Sequence, residues 1–395
     1  MRTLWLKKKE DLRIRAGHLW VFSNEVDTER SDLKDFTPGE EVTVCNAQGH
    51  ALGSALINPK ALICARLYSR KSEQAFDSAF LQKRFEKALL AREQLFSSPW
   101  YRLVHGEGDF LPGLVIDRFN EHVTIEITTI GMEERKELIV EVVKEYVKPK
   151  SMLFMNAIPV RALEGLCQDN VCLGPVPSEL LLPENGAHYH VPLLHGQKTG
   201  WFFDQRENRR MAARFAKGCD VLDAFCYLGG FGVLCAREGA KSVTFMDASK
   251  QALAFALRNA KENADQTSYD AHCGDILQLL PALKKEGRRF DLISIDPPAF
   301  IKRRKASQEG IRAYRRLNAE AIALLKPGGI LVSSSCSFHL KAETLLDAIT
   351  KAAAKEGLAC QLLYQGRQGP DHPELIGMPE TSYLKCFIVR MQRNS

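Results

Sequence analysis

Hydrophobic and polar positions alternate in short runs over the first 75 residues. The turn residues Phe36–Gly39 lead into an alternating stretch through Val44, and Asn46–His50 turns the chain into a second run, Ala51–Ile57, followed by Ala61–Tyr68. This spacing predicts a small β-barrel over residues 1–75. From about Phe76 the period lengthens, with apolar residues at Phe80, Leu81, Phe85, Leu89, Leu90 and Leu95, as one face of a helix requires. A glycine-rich hairpin around Gly106–Phe119, a strand over His122–Ile127 and a charged helix from Met132 to Tyr146 then make residues 76–185 an α+β domain. The prolines Pro175, Pro177 and Pro183 mark its end.

Beyond residue 186 strands and helices alternate strictly. Strands are expected at 219–225, 242–246, 268–272, 290–295 and 329–335, with helices near 230–238, 249–263, 275–287, 310–325 and 340–356. Two further strands, 359–364 and 383–391, are separated by a loop, and Pro327-Gly328-Gly329 reads as a sharp turn into the fifth strand. Such alternation predicts an α/β domain over 186–395, a doubly wound sheet of five parallel strands with a terminal pair, seven in all.

Composition changes this picture little. The 395 residues are 45% hydrophobic and 26% charged, with a mean hydropathy of −0.20, which is ordinary for a globular protein. No apolar run approaches the length of a membrane span, and Met1–Glu10 has neither the charge order nor the apolar core of a secretory signal. Eleven cysteines lie scattered, without a CxxC pair or a cysteine–histidine cluster of zinc spacing. No metal is therefore expected, and a reducing, cytoplasmic setting is. The net charge of +6 suits a nucleic-acid partner without demanding one.

Candidate chemistry gathers at the carboxyl ends of the predicted strands, where open α/β sheets bind their ligands. The run Val221–Gly232 carries Asp223, Phe225, Gly229, Gly230 and Phe231, a strand end turning through glycines into a helix. Asp247, followed by Ala248, ends the second strand, Asp275 and Ile276 follow the third, and Asp296 follows the fourth. The second-strand acid is placed for ribose hydroxyls, and the third-strand acid for an adenine amino group, although an aspartate before a helix also serves as an N-cap. A dinucleotide oxidoreductase is disfavoured, because the turn lacks the GxGxxG spacing and its acid would repel a pyrophosphate. A cationic sulfonium suits four acids, so S-adenosylmethionine is the expected cofactor. Upstream, Lys198, Gln205 and Arg206 are candidates for its carboxylate.

Asp296-Pro297-Pro298-Ala299-Phe300 is a rigid loop of the kind that grips a planar, nitrogen-bearing ring through its acid and proline carbonyl. Cys336, in Ser335-Cys336-Ser337, ends the neighbouring strand. Cytosine is too electron-poor at C5 to attack a methyl donor until a thiolate adds at C6, which makes Cys336 the candidate nucleophile. The stretch Lys302–Arg316 sets seven cations (Lys302, Arg303, Arg304, Lys305, Arg312, Arg315, Arg316) against one acid, a candidate phosphate clamp for RNA. Arg15–Glu25 mixes basic, glycine and aromatic residues, as RNA-gripping surfaces do.

Taken together, these motifs resemble the RlmI-like family of bacterial large-subunit ribosomal RNA cytosine-5 methyltransferases, and the resemblance spans essentially the whole chain. It rests on His18–Ser23 for an N-terminal PUA domain, Gly106–Arg118 for the central domain, and Lys198–Gly200, Asp204–Arg206, the Asp223 turn, Asp296-Pro297-Pro298 and Ser335–Ser337 for the catalytic domain. It implies a Rossmann-like class I methyltransferase domain, large-subunit ribosomal RNA rather than DNA or a membrane as partner, Cys336 as nucleophile and Asp296 as the base-binding acid. Ala299 stands where many RNA cytosine-5 methyltransferases hold a second cysteine, which implies one-cysteine chemistry, and where close relatives are expected to hold lysine. Two rival readings remain: an exocyclic-amine methyltransferase working through the Asp-Pro-Pro loop alone, and a non-catalytic RNA-binding assembly factor.

Overall fold

A computed structural model describes residues 1–194, 200–301 and 306–393. The chain divides into two compact units and passes between them several times: one comprises Met1–Ser178, Leu193–Phe203 and Pro370–Thr381, the other Glu179–Pro192, Asp204–Gly369 and Ser382–Ser395.

The first unit holds two five-stranded sheets. One is built from Arg2–Trp5, Trp20–Phe22, Glu41–Cys45, Ala51–Ile57 and Ile63–Ser69, closed around Leu4, Val21, Val44, Ile57 and Leu67. The other carries the strands Trp100–His105, Leu114–Phe119, His122–Ile127, Ser151–Phe154 and Val171–Leu173 under the helix Ser78–Leu95, which Asp77 caps at Phe80 N. The charged helix expected over 132–146 breaks at Glu134 and Arg135, leaving Ile130–Glu133 and Lys136–Tyr146. The Arg135 guanidinium turns back to Gly131 O at 2.9 Å and to Glu41 Oε1 at 2.8 Å, interactions a straight helix would not direct to one side chain.

The loop expected between the last two strands is a packed strap of this unit. Asp371 accepts from Arg102 N at 3.0 Å and its carbonyl from Arg92 Nη2 at 2.8 Å, while Gly377 lies so close to Gly17 that a Cβ there would stand 2.7 Å from its Cα. In the segment read as RNA-gripping, Trp20 donates its indole N–H to Glu107 at 2.7 Å and Arg13 pairs with Glu25 at 2.6 Å.

The second unit is a seven-stranded mixed sheet. Its strands are β1 (Asp220–Ala224), β2 (Ser242–Asp247), β3 (Ser268–Cys273), β4 (Phe290–Ile295), β5 (Leu325–Ser335), β6 (Leu358–Gly366) and β7 (Lys385–Arg393). They lie in the order β3-β2-β1-β4-β5-β7-β6, with β7 pairing antiparallel to both β5 and β6. Among the described residues, six α-helices belong to it: α1 (Arg206–Ala213), α2 (Gly230–Arg237), α3 (Lys250–Asn263), α4 (Ile276–Lys285), α5 (Ser307–Ile322) and α6 (Ala342–Lys355). Leu222, Ile293, Leu331 and Phe387, from four adjacent strands, are fully buried in one core, each contributing about 1.5–3 kcal/mol. The turn expected at Pro327–Gly329 is instead a bulge inside β5, whose pairing with β4 jumps from Leu325 to Ile330. A proline without an N–H is accommodated at such a break in the ladder.

Candidate active site

The strand order reverses between β1 and β4, and the carboxyl ends at that point form the crevice in which such sheets bind ligands. Asp223 and Asp296 flank it. Asp223, only 1% exposed, sits beneath the turn, its Oδ2 accepting from Gly232 N at 2.8 Å. Burial pushes its carboxyl up to about 7 against that hydrogen bond, with help from the nearby Asp296. The turn above it takes positive φ at Phe225 (62°), Tyr227 (49°) and Gly229 (84°). Two bulky residues in the left-handed region are costly, and the surroundings must hold them there. Part of that hold comes from Asp247, whose Oδ2 accepts from Tyr227 N at 2.9 Å and whose Oδ1 accepts from Ser249 N at 2.8 Å.

Glycines 229 and 230 serve different ends. Gly229 supplies a left-handed residue. A Cβ on Gly230 would stand 2.6 Å from Arg209 Nε, so the space at that atom is taken by an arginine. Arg209 in turn pairs with Glu184 at 2.6 Å, and Arg206 reaches the same carboxylate at 3.3 Å, all three residues being buried. Glu184 was not foreseen from the sequence. It lies on the hairpin Glu179–Glu184/Ala187–Pro192, and only that fold brings it to α1.

Asp275 caps α4 through Leu277 N at 3.0 Å and is exposed, while the adjoining Ile276 is 2% exposed in the core. Ala248 is exposed beside Asp247, and Phe231 is 5% exposed inside α2. Gln205 is 2% exposed; its amide oxygen accepts from Asn208 at 2.6 Å, and its amide nitrogen finds no hydrogen-bond partner among the described residues. An orphaned buried donor is costly unless a ligand answers it. The Gln205 amide N–H suits a ligand carboxylate, and the acids at the ends of β1, β2 and β4 and after β3 suit a cationic sulfonium. Lys198 lies outside the described residues, as do Lys302, Arg303, Arg304 and Lys305.

On the other side of the switch point, Ile295 pairs with Ser333 and Ser335 with Lys385. Asp296 and Cys336 therefore leave neighbouring strands at the same edge, both partly exposed. Pro297 is buried and Pro298 exposed, and Phe300 packs its ring 4.8 Å from Tyr314. Tyr314 ties the loop down: its hydroxyl accepts from Ser335 Oγ at 2.8 Å and meets Ser337 Oγ at 3.0 Å, while Ile301 N donates to Ser337 Oγ at 3.2 Å. Lys385, also unforeseen, donates to the carbonyls of Ser337 at 2.7 Å and Tyr383 at 2.9 Å. Of the described cations in the basic run, Arg312, Arg315 and Arg316 are exposed on α5, with Arg315 pairing to Asp347 at 3.3 Å. All eleven cysteines are unbridged, and no helix among the described residues is long and apolar enough to cross a membrane.

Comparison with known proteins places these features. Residues 4–70 match the PUA-like domain family, and residues 172–385 match the family of S-adenosylmethionine-dependent methyltransferases. A ribosomal RNA large subunit methyltransferase I from Tolumonas auensis is 34% identical over 98% of this chain and 99% of its own length. The chain belongs to the ribosomal RNA large subunit methyltransferase I family. Its member from Yersinia pseudotuberculosis is 33% identical over 98% of this chain and 99% of its own. Among solved structures, the SMU.776 protein complexed with SAH shares the fold, with a TM-score of 0.85 at 22% identity over 99% of this chain and all of its own. The cofactor expected from the acids at the strand ends is thus that of the family, and the expected seven-stranded fold is the one observed.

Proposed function

We propose that this protein methylates C5 of a cytosine in large-subunit ribosomal RNA, with Cys336 as the nucleophile. The family supplies the substrate class. The observation that carries the finer reading is that Cys336 and the Asp296-Pro297-Pro298 loop leave adjacent strands at one edge, beside the acids that suit the cofactor.

The chemistry follows from these groups. Asp296 and the Pro297 carbonyl hold the polar edge of a base that has been flipped out of its stack. The Cys336 thiolate bonds to C6, moving the C5–C6 electron pair to C5. S-adenosylmethionine, when bound, supplies an electrophilic methyl group for that carbon. Loss of the C5 proton to a base then re-forms the double bond, and the bond from sulfur to C6 breaks, returning the thiolate. The exposed arginines of α5 support an RNA partner, since phosphate contacts position a duplex or loop without reading its sequence.

Substitution Cys336→Ala tests the assignment by methyl transfer to ribosomal RNA. Turnover is expected to vanish while S-adenosylmethionine still binds. Retained turnover would mean that a base nitrogen, which needs no thiolate, is the acceptor.

A further inference from the structure

A cysteine nucleophile must be held as thiolate near neutral pH, and nothing in Ser335-Cys336-Ser337 does this by itself. The lysine opposite is placed to do so. Because β7 runs antiparallel to β5, its first residue, Lys385, arrives at the carboxyl edge of the sheet, paired across from Ser335. Its ammonium is fixed by two carbonyls, Ser337 O at 2.7 Å and Tyr383 O at 2.9 Å, the first belonging to the residue after Cys336. An ammonium has three N–H donors, so two carbonyls leave one uncommitted.

We propose that Lys385 is the positioning residue that holds Cys336 as thiolate, a role resting on the cysteine chemistry proposed above. When Cys336 Sγ gives up its proton to solvent, the Lys385 ammonium stabilises the negative charge left on sulfur; no other reactant is required. Partial burial of the lysine tunes its charge. It lowers the amine to about 8, against the pull of Cys336, so the side chain is still mostly an ammonium at neutral pH.

The titratable groups on the surrounding elements are Lys385 and Cys386 on β7, Tyr314 on α5, Asp296 after β4, and His339 and Lys341 in the turn beyond Cys336. Cys386 is buried and its thiol pushed up to about 12, so it stays neutral. Tyr314 is raised by burial, partly offset by its two serine hydrogen bonds, and further raised by Cys336, so it too stays neutral. Asp296 carries the opposite sign to the one needed, and His339 is exposed. Among these described groups, Lys385 is the half-buried cation whose ammonium bonds the backbone next to Cys336.

The test is the pH profile of alkylation at Cys336, followed peptide by peptide with iodoacetamide and mass spectrometry. The exposed Cys167 and Cys273 serve as internal references. An opposite charge at close range moves a titrating group by about one pKa unit or more. Lys385→Met is expected to shift the Cys336 profile upward by at least that much, slowing labelling at neutral pH about tenfold with the references unchanged. Lys385→Arg is expected to keep the low profile, since it keeps the charge. An unshifted profile in a Lys385→Met protein with native circular dichroism would overturn the proposal. If that variant fails to fold, Lys385→Gln is read the same way, and faster labelling of Cys336 in either variant also overturns it. These readouts need no RNA or turnover, so they stand apart from the Cys336→Ala test, which decides the cysteine mechanism itself.

Discussion

Replacing Asp223 by asparagine removes a buried charge while keeping its shape and its bond to Gly232. The carboxyl is 1% exposed, and burial carries it from an ordinary 3.8 to about 7. That difference corresponds to about 4 kcal/mol between its two protonation states. Its folded value is the higher one, so the stabilising form is the neutral acid. Stability from this group is full below pH 3.8, falls as pH rises, and is lost once pH passes about 7. About 3 kcal/mol of the loss falls between pH 5 and pH 8. For a unit of about two hundred residues, that is a change of roughly 6–12 °C in midpoint. The assay is thermal unfolding of the cofactor-free protein at both pH values. The methyltransferase transition is recognised as the one that S-adenosylmethionine raises. The midpoint of Asp223→Asn relative to the parent should climb by that amount from pH 5 to pH 8, other carboxyls cancelling in the difference. A difference that does not change with pH would refute the reasoning, because Asp223 would then titrate as if solvated.

Other expectations are structural. A methyl group on Gly232 would collide with the Phe245 ring and stand 2.9 Å from Val243, so Gly232→Ala should cost about 1–3 kcal/mol in urea unfolding. Arg209→Met takes from the buried Glu184 its 2.6 Å ion-pair partner, and should destabilise the methyltransferase transition by about 3–5 kcal/mol. The double substitution with Glu184→Gln should recover much of that loss in the same assay.

Most of the catalytic sheet was legible in the sequence, because strands such as β1, β2 and β4 are compact apolar runs closed by an acid. The sheet edge could be read for the same reason: Asp223, Asp247 and Asp296 are fixed by where their strands stop. What escaped depends on contacts distant in sequence. Glu184 and Arg209 are 25 residues apart and meet only once the hairpin folds back. Lys385 opposes Ser335 across a strand pairing that no local period records. Residues 370–381 looked like a connecting loop, since packing against Arg92 and Arg102 leaves no periodic trace. Gly230, a candidate for cofactor binding in the sequence, is approached instead by the Arg209 side chain. Asp275 shows the opposite limit: the N-cap alternative weighed for it is realised in the structure, at Leu277 N, whatever else its outer oxygen holds.

The central claim is that Cys336 directs a methyl group to carbon 5 of a ribosomal cytosine. It is tested most directly by nucleoside-resolved mass spectrometry of large-subunit ribosomal RNA from cells lacking this protein. One 5-methylcytidine should disappear, return with the parent protein and stay absent with Cys336→Ala. An unchanged 5-methylcytidine content, or the loss of a nitrogen-methylated base in its place, would contradict it.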